Sequence, residues 1–385
     1  MIIGIVRETL ATERRVAMIP AQVARLVKKQ WLVIVTKDAG QAAGFSDADY
    51  LAVGAEVRPS NADVSQHADI IAAVNVHGDD LIRLSQEAKS GQVVIGMMDP
   101  LVNAQSLSNI AASGITTLAL ELIPRITRAQ SMDVLSSMAT VAGYKAVILA
   151  AHRAPRLFPM LMTAAGTLKP SRVFIMGVGV AGLQACATAK RLGGVVEAYD
   201  IRPAAREQIL SVGAKPVELD LEAENTETAG GYAKEQSQEF IARQQQAMSK
   251  VLAAQDVVIT TAAIPGRKAP VLITKAMVEA MKPGTVIVDL AAETGGNCEL
   301  TQAGEEVLHH GVLILGPRNI ASSAANHASQ MYGTNLSNLL DLLINKDGEL
   351  QLNREDEIIR DTLVTHQGAL VNERLQGLLT PAGEQ

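Results

Sequence analysis

One run constrains this chain more than any other: an apolar strand (Val173 to Met176), then Gly177-Val178-Gly179-Val180-Ala181-Gly182, a helix reaching Leu192, and a second strand ending in Asp200. Strand, glycine turn, helix and strand in that order form one unit of a doubly wound parallel sheet. Gly177 permits the tight turn, Gly179 lets the backbone approach a phosphate, and Gly182 lets helix and strand pack closely. Glycines also mark ordinary turns, so the weight lies in the context. The run follows a strand, opens a helix, and is answered about twenty residues on by a strand-end acid.

That context predicts a dinucleotide cofactor, its pyrophosphate received by the free N–H groups and positive end of the helix. Asp200 is expected to accept hydrogen bonds from the adenosine ribose hydroxyls and to repel a 2′-phosphate, which selects NAD(H) over NADP(H). Arg202 leaves two readings open: an arginine that accommodates such a phosphate, or a solvated turn residue before Pro203.

At 385 residues and 48% hydrophobic content, the chain is long enough for about two domains with sizeable cores. A net charge of −6, spread in short mixed runs, provides no basic face, so no nucleic-acid partner is expected. Two cysteines, Cys186 and Cys298, give no disulfide framework and suit a reducing cytosol. The seven histidines show neither H-E-x-x-H nor Cys/His spacing, so no metal is expected in the chemistry. The start, Met1 to Arg7, reads as a strand rather than a signal peptide. The uncharged run Val173 to Ala189 holds the glycine fingerprint and reads as buried sheet and helix instead of a membrane span.

Short Val/Ile-rich runs alternate with amphipathic stretches up to about residue 120: Ile2 to Val6, a helix after Pro20, Leu32 to Thr36, Ile70 to Val76, Val93 to Gly96 and Thr116 to Leu120. The alternation resumes after the fingerprint, with strands near Pro216 to Leu219, Val257 to Thr261, Thr285 to Leu290 and Val312 to Leu315, and a helix over Tyr232 to Ala254. Ser131 to Ala151, small and apolar on nearly all faces, reads as a buried linking helix. The expected fold is therefore α/β, two Rossmann-like doubly wound parallel-sheet domains separated by a cofactor cleft. The first takes residues 1–128 plus 334–385 and the nucleotide domain takes 129–333. The polar, glycine-hinged run Leu221 to Tyr232 is either a lid or a plain flexible loop.

An ordinary NAD-dependent dehydrogenase needs a side chain, usually His or Lys, that exchanges a proton with substrate while hydride moves. No histidine stands beside an obvious catalytic motif. The polar cluster expected to face the cofactor is Arg125-Ile126-Thr127-Arg128-Ala129-Gln130-Ser131-Met132-Asp133, which contains no neutral-pH base. Hydride passing between two nicotinamide rings needs no such base, only orientation of the rings. The plainer alternative is that Arg125, Arg128 and Asp133 form an ion-pair network capping the linking helix.

Over almost its whole length the chain resembles the NAD(H)-binding component, domain I of the alpha subunit, of proton-translocating nicotinamide nucleotide transhydrogenases. Stretches that carry the resemblance include Glu13 to Ala17, Pro124 to Asp133, Ala142-Gly143-Tyr144, Thr163 to Gly166, the fingerprint, Ala229-Gly230-Gly231-Tyr232-Ala233-Lys234, Thr260 to Gly266, and Gly295-Gly296-Asn297-Cys298. The resemblance implies an NAD(P)+ transhydrogenase of the Si-specific, proton-translocating type, active only with partner domains. NAD(H) is bound by this chain, NADP(H) by a partner domain III, and protons are translocated by a membrane domain II. It implies that Gln130 hydrogen-bonds the nicotinamide end while Arg125, Asp133 and Ser136 hold it in place. Tyr232 closes over bound nucleotide, and Gly231, Gln244 and Ala263 line the adenosine and ribose side. Ile126, Thr127, Arg128, Val178, Val180, Ile201 and Arg202 complete the contacts. It further implies a homodimer, cytoplasmic and peripheral at the inner membrane through its partner subunits.

Some positions depart from relatives, including the related alanine dehydrogenases. Ala73-Val74-Asn75 stands where Lys-Val is common, Ala263 where leucine is frequent, and the segment Pro317 to Ser323 lacks the usual Pro and Arg placements. Gly96-Met97-Met98-Asp99 lacks a histidine. An L-alanine-type dehydrogenase needs that lysine and histidine for its proton chemistry. A non-enzymatic NAD sensor is the remaining rival.

Overall fold

The computed structural model describes residues 1–76, 78–219 and 238–379. The chain divides into two compact units, Met1–Met138 with Ser322–Gln385, and Ala139–Ala321.

In the first unit, β1 (Ile2–Ile5), β2 (Leu32–Thr36), β3 (Glu56–Arg58), β4 (Ile70–Asn75), β5 (Val93–Met97) and β6 (Thr116–Ala119) form a parallel sheet. Strand β4 reads Ile-Ile-Ala-Ala-Val and is buried along that whole run, as a parallel strand covered on both faces must be. The chain lays down β1, β2 and β3 in one direction and then β4, β5 and β6 in the other, so the order reverses at the β1/β4 border. Pro20 opens the helix Pro20–Lys28, where its fixed φ fits and its missing N–H is not needed.

The second unit begins with a hairpin, β7 (Leu161–Thr163) and β8 (Gly166–Leu168), paired only with itself among the described residues. Its main sheet holds β9 (Arg172–Met176), β10 (Val195–Tyr199), β11 (Lys215–Pro216), β12 (Val257–Thr260), β13 (Val286–Asp289), β14 (Glu306–His309) and β15 (Val312–Leu315). The order is β11-β10-β9-β12-β13-β15-β14, parallel except for β14. Alternate residues of β9, β12 and β13 face opposite layers. Val173, Ile175, Val257, Ile259, Val286 and Val288 meet Ala185, Cys186 and Ala189 of the fingerprint helix and Ala146, Val147 and Ala150 of the long helix Val134–Arg153. Phe174, Met176, Val258 and Ile287 meet Met248, Leu252, Met277 and Val278 on the other side. Each such aliphatic side chain contributes about 1.5–3 kcal/mol on burial.

Two further strands, β16 (Leu363–His366) and β17 (Ala369–Leu370), return to the first unit and extend its sheet antiparallel beyond β6.

Three expected elements differ. The strand expected over Pro216 to Leu219 is only Lys215–Pro216, the edge strand of the sheet, where Pro216 is tolerated because its N side faces away from β10, and the last bond to β10 is from Val217 N–H to the Ala198 carbonyl at 2.8 Å. The helix expected from Tyr232 runs Gln238–Leu252, residues 232–237 lying outside those described. The linking helix starts at Val134, not Ser131, because Thr127–Met132 is a 3₁₀ turn. That helix is not buried on all faces: Tyr144 is 47% exposed. By length and composition it is long and apolar enough to cross a membrane, yet Val147 and Ala150 lie in the core of the second unit.

Candidate nucleotide site

The fingerprint stands at the carboxyl end of β9, where the second unit's strand order reverses between β9 and β12, the position at which open α/β sheets bind ligands. Each glycine has a distinct geometry. Gly177 adopts φ +89°, a left-handed turn that a side chain strains, and a Cβ there would lie 2.8 Å from Thr261 Oγ1. At Gly182 a Cβ would sit 2.0 Å from the Gly177 carbonyl oxygen, so no side chain is admitted. At Gly179, the extended residue capping the helix Val180–Arg191, nothing stands within 4 Å of a Cβ position. The turn is thus closed behind and open at the helix N-terminus, where free N–H groups and the positive helix end favour a phosphate. These residues fit a dinucleotide pyrophosphate.

A glycine outside the fingerprint has the same purpose. A Cβ on Gly143, in the long helix, would meet the Ala181 carbonyl oxygen at 2.1 Å. Gly143 therefore lets the two helix backbones touch and fixes where the fingerprint helix begins.

The neighbouring segment 261–263 is held by side chains from elsewhere. Thr261 donates its hydroxyl to the Gly177 carbonyl at 2.9 Å. Asn297 accepts from Ala262 N–H at 3.0 Å and donates to the carbonyls of Ala262 and Pro270 at 2.8 and 2.9 Å. Asn297 is in turn fixed by buried Asp289, which accepts from the backbone N–H groups of Ala291, Asn297 and Cys298 and from the hydroxyls of Thr260 and Thr301. Ala263 is exposed at the end of this braced segment. In the sequence, Asn297 stands out only as a member of a stretch shared with relatives; its bracing role has no signature at a separation of 35 residues.

Asp200 lies at the end of β10 as expected, but it is already engaged. Its Oδ2 accepts from Val178 N–H at 2.6 Å and from Arg202 Nη2 at 3.0 Å, and its Oδ1 accepts from Arg202 N–H and Nε, both at 2.9 Å. Arg202 also donates to the Val178 carbonyl at 3.2 Å. With side chains 15% and 7% exposed, this pair excludes the reading of Arg202 as a solvated turn residue. Ile201 between them is half-buried.

In the first unit, the segment Arg125 to Ser136 follows β6. Ile126 is the extended residue before the 3₁₀ turn Thr127–Met132, and Thr127, Arg128 and Gln130 are exposed on that turn, with Arg125 exposed just before it. Asp133 bonds Ser136, accepting from its N–H at 2.8 Å and its hydroxyl at 2.6 Å, and so caps the long helix. Arg128 is not involved in that cap. Its fork donates to both oxygens of Asp356 at 2.6 and 2.7 Å and holds that carboxyl below the usual carboxylate range. The Ser131 carbonyl accepts from both Asn335 and Asn338 Nδ2 at 2.9 Å, which pins the turn beside Gln130. Gly231 and Tyr232 lie outside the described residues, and Gln244 is placed only as a position on the helix Gln238–Leu252.

A buried polar cluster, of which the sequence marks only Glu13 and Arg15 as members of a stretch shared with relatives, lies at the carboxyl edge of the first unit's sheet. Arg15 forms a fork with Glu13, Asn75 Nδ2 donates to Glu13, and the Tyr332 hydroxyl donates to the Ala73 carbonyl at 2.7 Å. Glu8 accepts from Val74 and Asn75 N–H, and burial pushes its carboxyl up to about 8. Glu121 Oε1 accepts from Met98 and Asp99 N–H at 2.8 and 2.7 Å, Oε2 is enclosed without a partner, and burial raises the carboxyl to about 7. Met98, in the stretch Gly96 to Asp99 that lacks a histidine, is fully buried.

Fold and fingerprint together define a two-unit α/β protein of the Rossmann-type nucleotide-binding class. Residues 4–142 match the alanine dehydrogenase/PNT N-terminal domain and residues 146–373 the alanine dehydrogenase/PNT C-terminal domain. The chain belongs to that family. It is 46% identical over 384 residues, 98% of this chain and 99% of that protein, to the first portion of the NAD(P) transhydrogenase subunit alpha of Rhodospirillum rubrum. It resembles the crystal structure of transhydrogenase from Sinorhizobium meliloti with a TM-score of 0.87 and 44% identity, covering 96% of this chain and 100% of that one. Alanine dehydrogenase of Mycobacterium tuberculosis is more distant, 26% identical over 97% of this chain and 96% of that protein.

Proposed function

We propose that this chain is the NAD(H)-binding component of a proton-translocating transhydrogenase, in which hydride passes reversibly between NAD(H) held here and NADP(H) held on a partner domain III. The observation that carries the reading is identity of 46% to a transhydrogenase alpha subunit along almost the whole chain, against 26% to an alanine dehydrogenase.

The residues have these roles. Gly177, Val178, Gly179, Val180 and Gly182 present backbone to the pyrophosphate, and the helix end at Gly179 favours its charge. Asp200, Ile201 and Arg202 meet the adenosine ribose, and Ala263 and Gln244 line its other side. Arg125, Ile126, Thr127 and Arg128 complete the contacts to the dinucleotide. Gln130 orients the nicotinamide amide, and the Asp133–Ser136 cap fixes the backbone that follows it. Bound there, the dinucleotide supplies a hydride at its nicotinamide ring. Rate comes from proximity and orientation and from keeping water away, with no proton to be moved by this chain. Gly231 and Tyr232, outside the described residues, keep the roles that the resemblance implies.

Membrane domain II performs proton translocation, so the chain sits at the cytoplasmic face of the inner membrane through partner subunits. The homodimer is supported by the hairpin β7–β8, which exposes Met162 by 77% and Leu168 by 50%, with Met160 beside it at 58%. Apolar surface of this kind on a hairpin without another strand partner favours burial against a second copy.

The test is to mix the purified chain with an NADP(H)-binding domain and follow hydride transfer from NADH to an NADP+ analogue. Transfer supports the proposal. Ammonia-dependent oxidation of NADH by pyruvate without any partner would replace it with an amino-acid dehydrogenase. Nucleotide binding with no transfer under any partner combination would leave an NAD sensor.

A further inference from the structure

Among the described residues, one group of three His, Cys, Asp or Glu side chains has its ligating atoms close enough to hold a metal ion: Glu279, His309 and His310, all within 4.8 Å of one another. His309 Nε2 lies 3.0 Å and His310 Nε2 3.9 Å from Glu279 Oε1, and the two imidazole centroids are 4.8 Å apart. A tetrahedral zinc ion bound at about 2.0–2.1 Å to each donor sets donors about 3.3 Å apart. These distances bracket that value, so small side-chain rotations bring all three onto one ion.

The backbone has a specific arrangement for this. His309 ends β14 and pairs with Val312 of β15, leaving His310-Gly311 as a two-residue turn with φ +49° and +77°. Positive φ at both positions is the type I′ hairpin turn, where Asn-Gly is favoured and histidine is among the side chains that tolerate the left-handed position. The turn is tied to the segment that carries the acid. Gly284 N–H donates to the Gly311 carbonyl at 2.7 Å, and Gly311 packs so closely on Pro283 that a Cβ would lie 2.9 Å from it. Glu279 ends the short helix just before that segment.

We infer that Glu279, His309 and His310 form a zinc site that staples the β14–β15 hairpin to the helix beside it. Two imidazoles and a carboxylate are a donor set suited to zinc, and the fourth position is left to water. Its place in the fold sets it apart from the nucleotide site. The β14–β15 turn precedes β15, which runs parallel to β13, so it lies at the amino-terminal edge of the sheet, opposite the edge where the glycine fingerprint follows β9. Lys275 Nζ, 3.9 Å from Glu279 Oε1, is the cation that zinc displaces.

The test uses the untagged full chain, stripped with EDTA and titrated with zinc alone by calorimetry, with cobalt(II) absorption as a second probe. One zinc per chain, a tetrahedral cobalt spectrum and a zinc-dependent rise in Tm are expected. His310→Asn is the informative variant, because Asn suits the left-handed turn and so keeps the hairpin. It should weaken zinc binding at least about tenfold, as should Glu279→Gln. Lys275→Ala should leave zinc binding as tight or tighter. No binding heat with zinc in excess, several weak sites indifferent to these variants, or wild-type affinity in folded His310→Asn would overturn the inference.

Discussion

Arg202 closes on Asp200 from two residues along the same strand end, and with Val178 N–H it supplies four donors to a carboxylate that has about four acceptor positions. A ribose hydroxyl must therefore displace some of the guanidinium's bonds, and that guanidinium also offsets the charge by which Asp200 repels a 2′-phosphate. Arg202→Ala should tighten NADH binding and weaken NADPH binding, raising the preference for NADH by about tenfold, equivalent to 1.4 kcal/mol. Titration of both nucleotides against the purified variant reads this directly. An unchanged ratio would remove Arg202 from cofactor selection.

The glycine geometry separates folding from binding. Gly182→Ala and Gly143→Ala each put a methyl group about 2 Å from a carbonyl oxygen, the first forcing the fingerprint helix off its own turn and the second forcing two helices apart, so each should cost about 1–3 kcal/mol in denaturant unfolding. Gly179→Ala meets nothing and keeps an extended backbone. Its stability should stay within about 0.5 kcal/mol of wild type while nucleotide affinity falls, because the methyl occupies the approach to the helix end. If Gly179→Ala binds NADH normally, the pyrophosphate does not lie where the fingerprint places it.

These glycines are legible in the sequence because their demands are local: a turn, an approach and a helix contact within six residues, in a context of strand and helix. Asn297 and Gly143 are not, since each acts on a partner far along the chain and neither residue type announces that partner. Arg202 stays ambiguous at that level because closeness to Asp200 in the chain does not tell the direction of its side chain. Composition makes the linking helix look buried, but small apolar residues on every face describe a surface that can be covered and not one that the chain itself covers.

The two buried acids of the first unit make stability depend on pH with a definite sign. Glu121 titrates at about 7 in the fold against an ordinary 4.5, and Glu8 at about 8, in both cases chiefly through burial. Above pH 4.5 the folded chain holds protons that the unfolded chain has released, so these groups lower stability as pH rises, over about pH 4.5–7 for Glu121 and 4.5–8 for Glu8. Both residues are half-buried, but Glu121 has one oxygen wholly enclosed without a partner, which makes Glu121 the cleaner test. Urea midpoints of Glu121→Gln should fall less between about pH 5 and 8 than those of wild type. Parallel pH profiles for the two proteins would mean that Glu121 is ionised in the fold throughout.

The last prediction concerns Gln130 and the turn that presents it. Two amides, from Asn335 and Asn338, hold the Ser131 carbonyl, and the Asp133–Ser136 cap holds the backbone further on, so the turn that carries Gln130 is pinned on its C-terminal side. Gln130→Asn keeps the amide and withdraws it by one methylene. A misplacement of about 1 Å in an oriented reaction costs about 10²-fold in rate, while binding, spread over the pyrophosphate and adenosine contacts, changes little. Stopped-flow hydride transfer to an NADP+ analogue on the partner domain should therefore fall steeply while the NADH dissociation constant stays within a factor of about three. Asn338→Ala, which loosens the turn without touching Gln130, should give a smaller loss of the same kind. Equal rates in wild type and Gln130→Asn would show that the nicotinamide end is oriented by other residues.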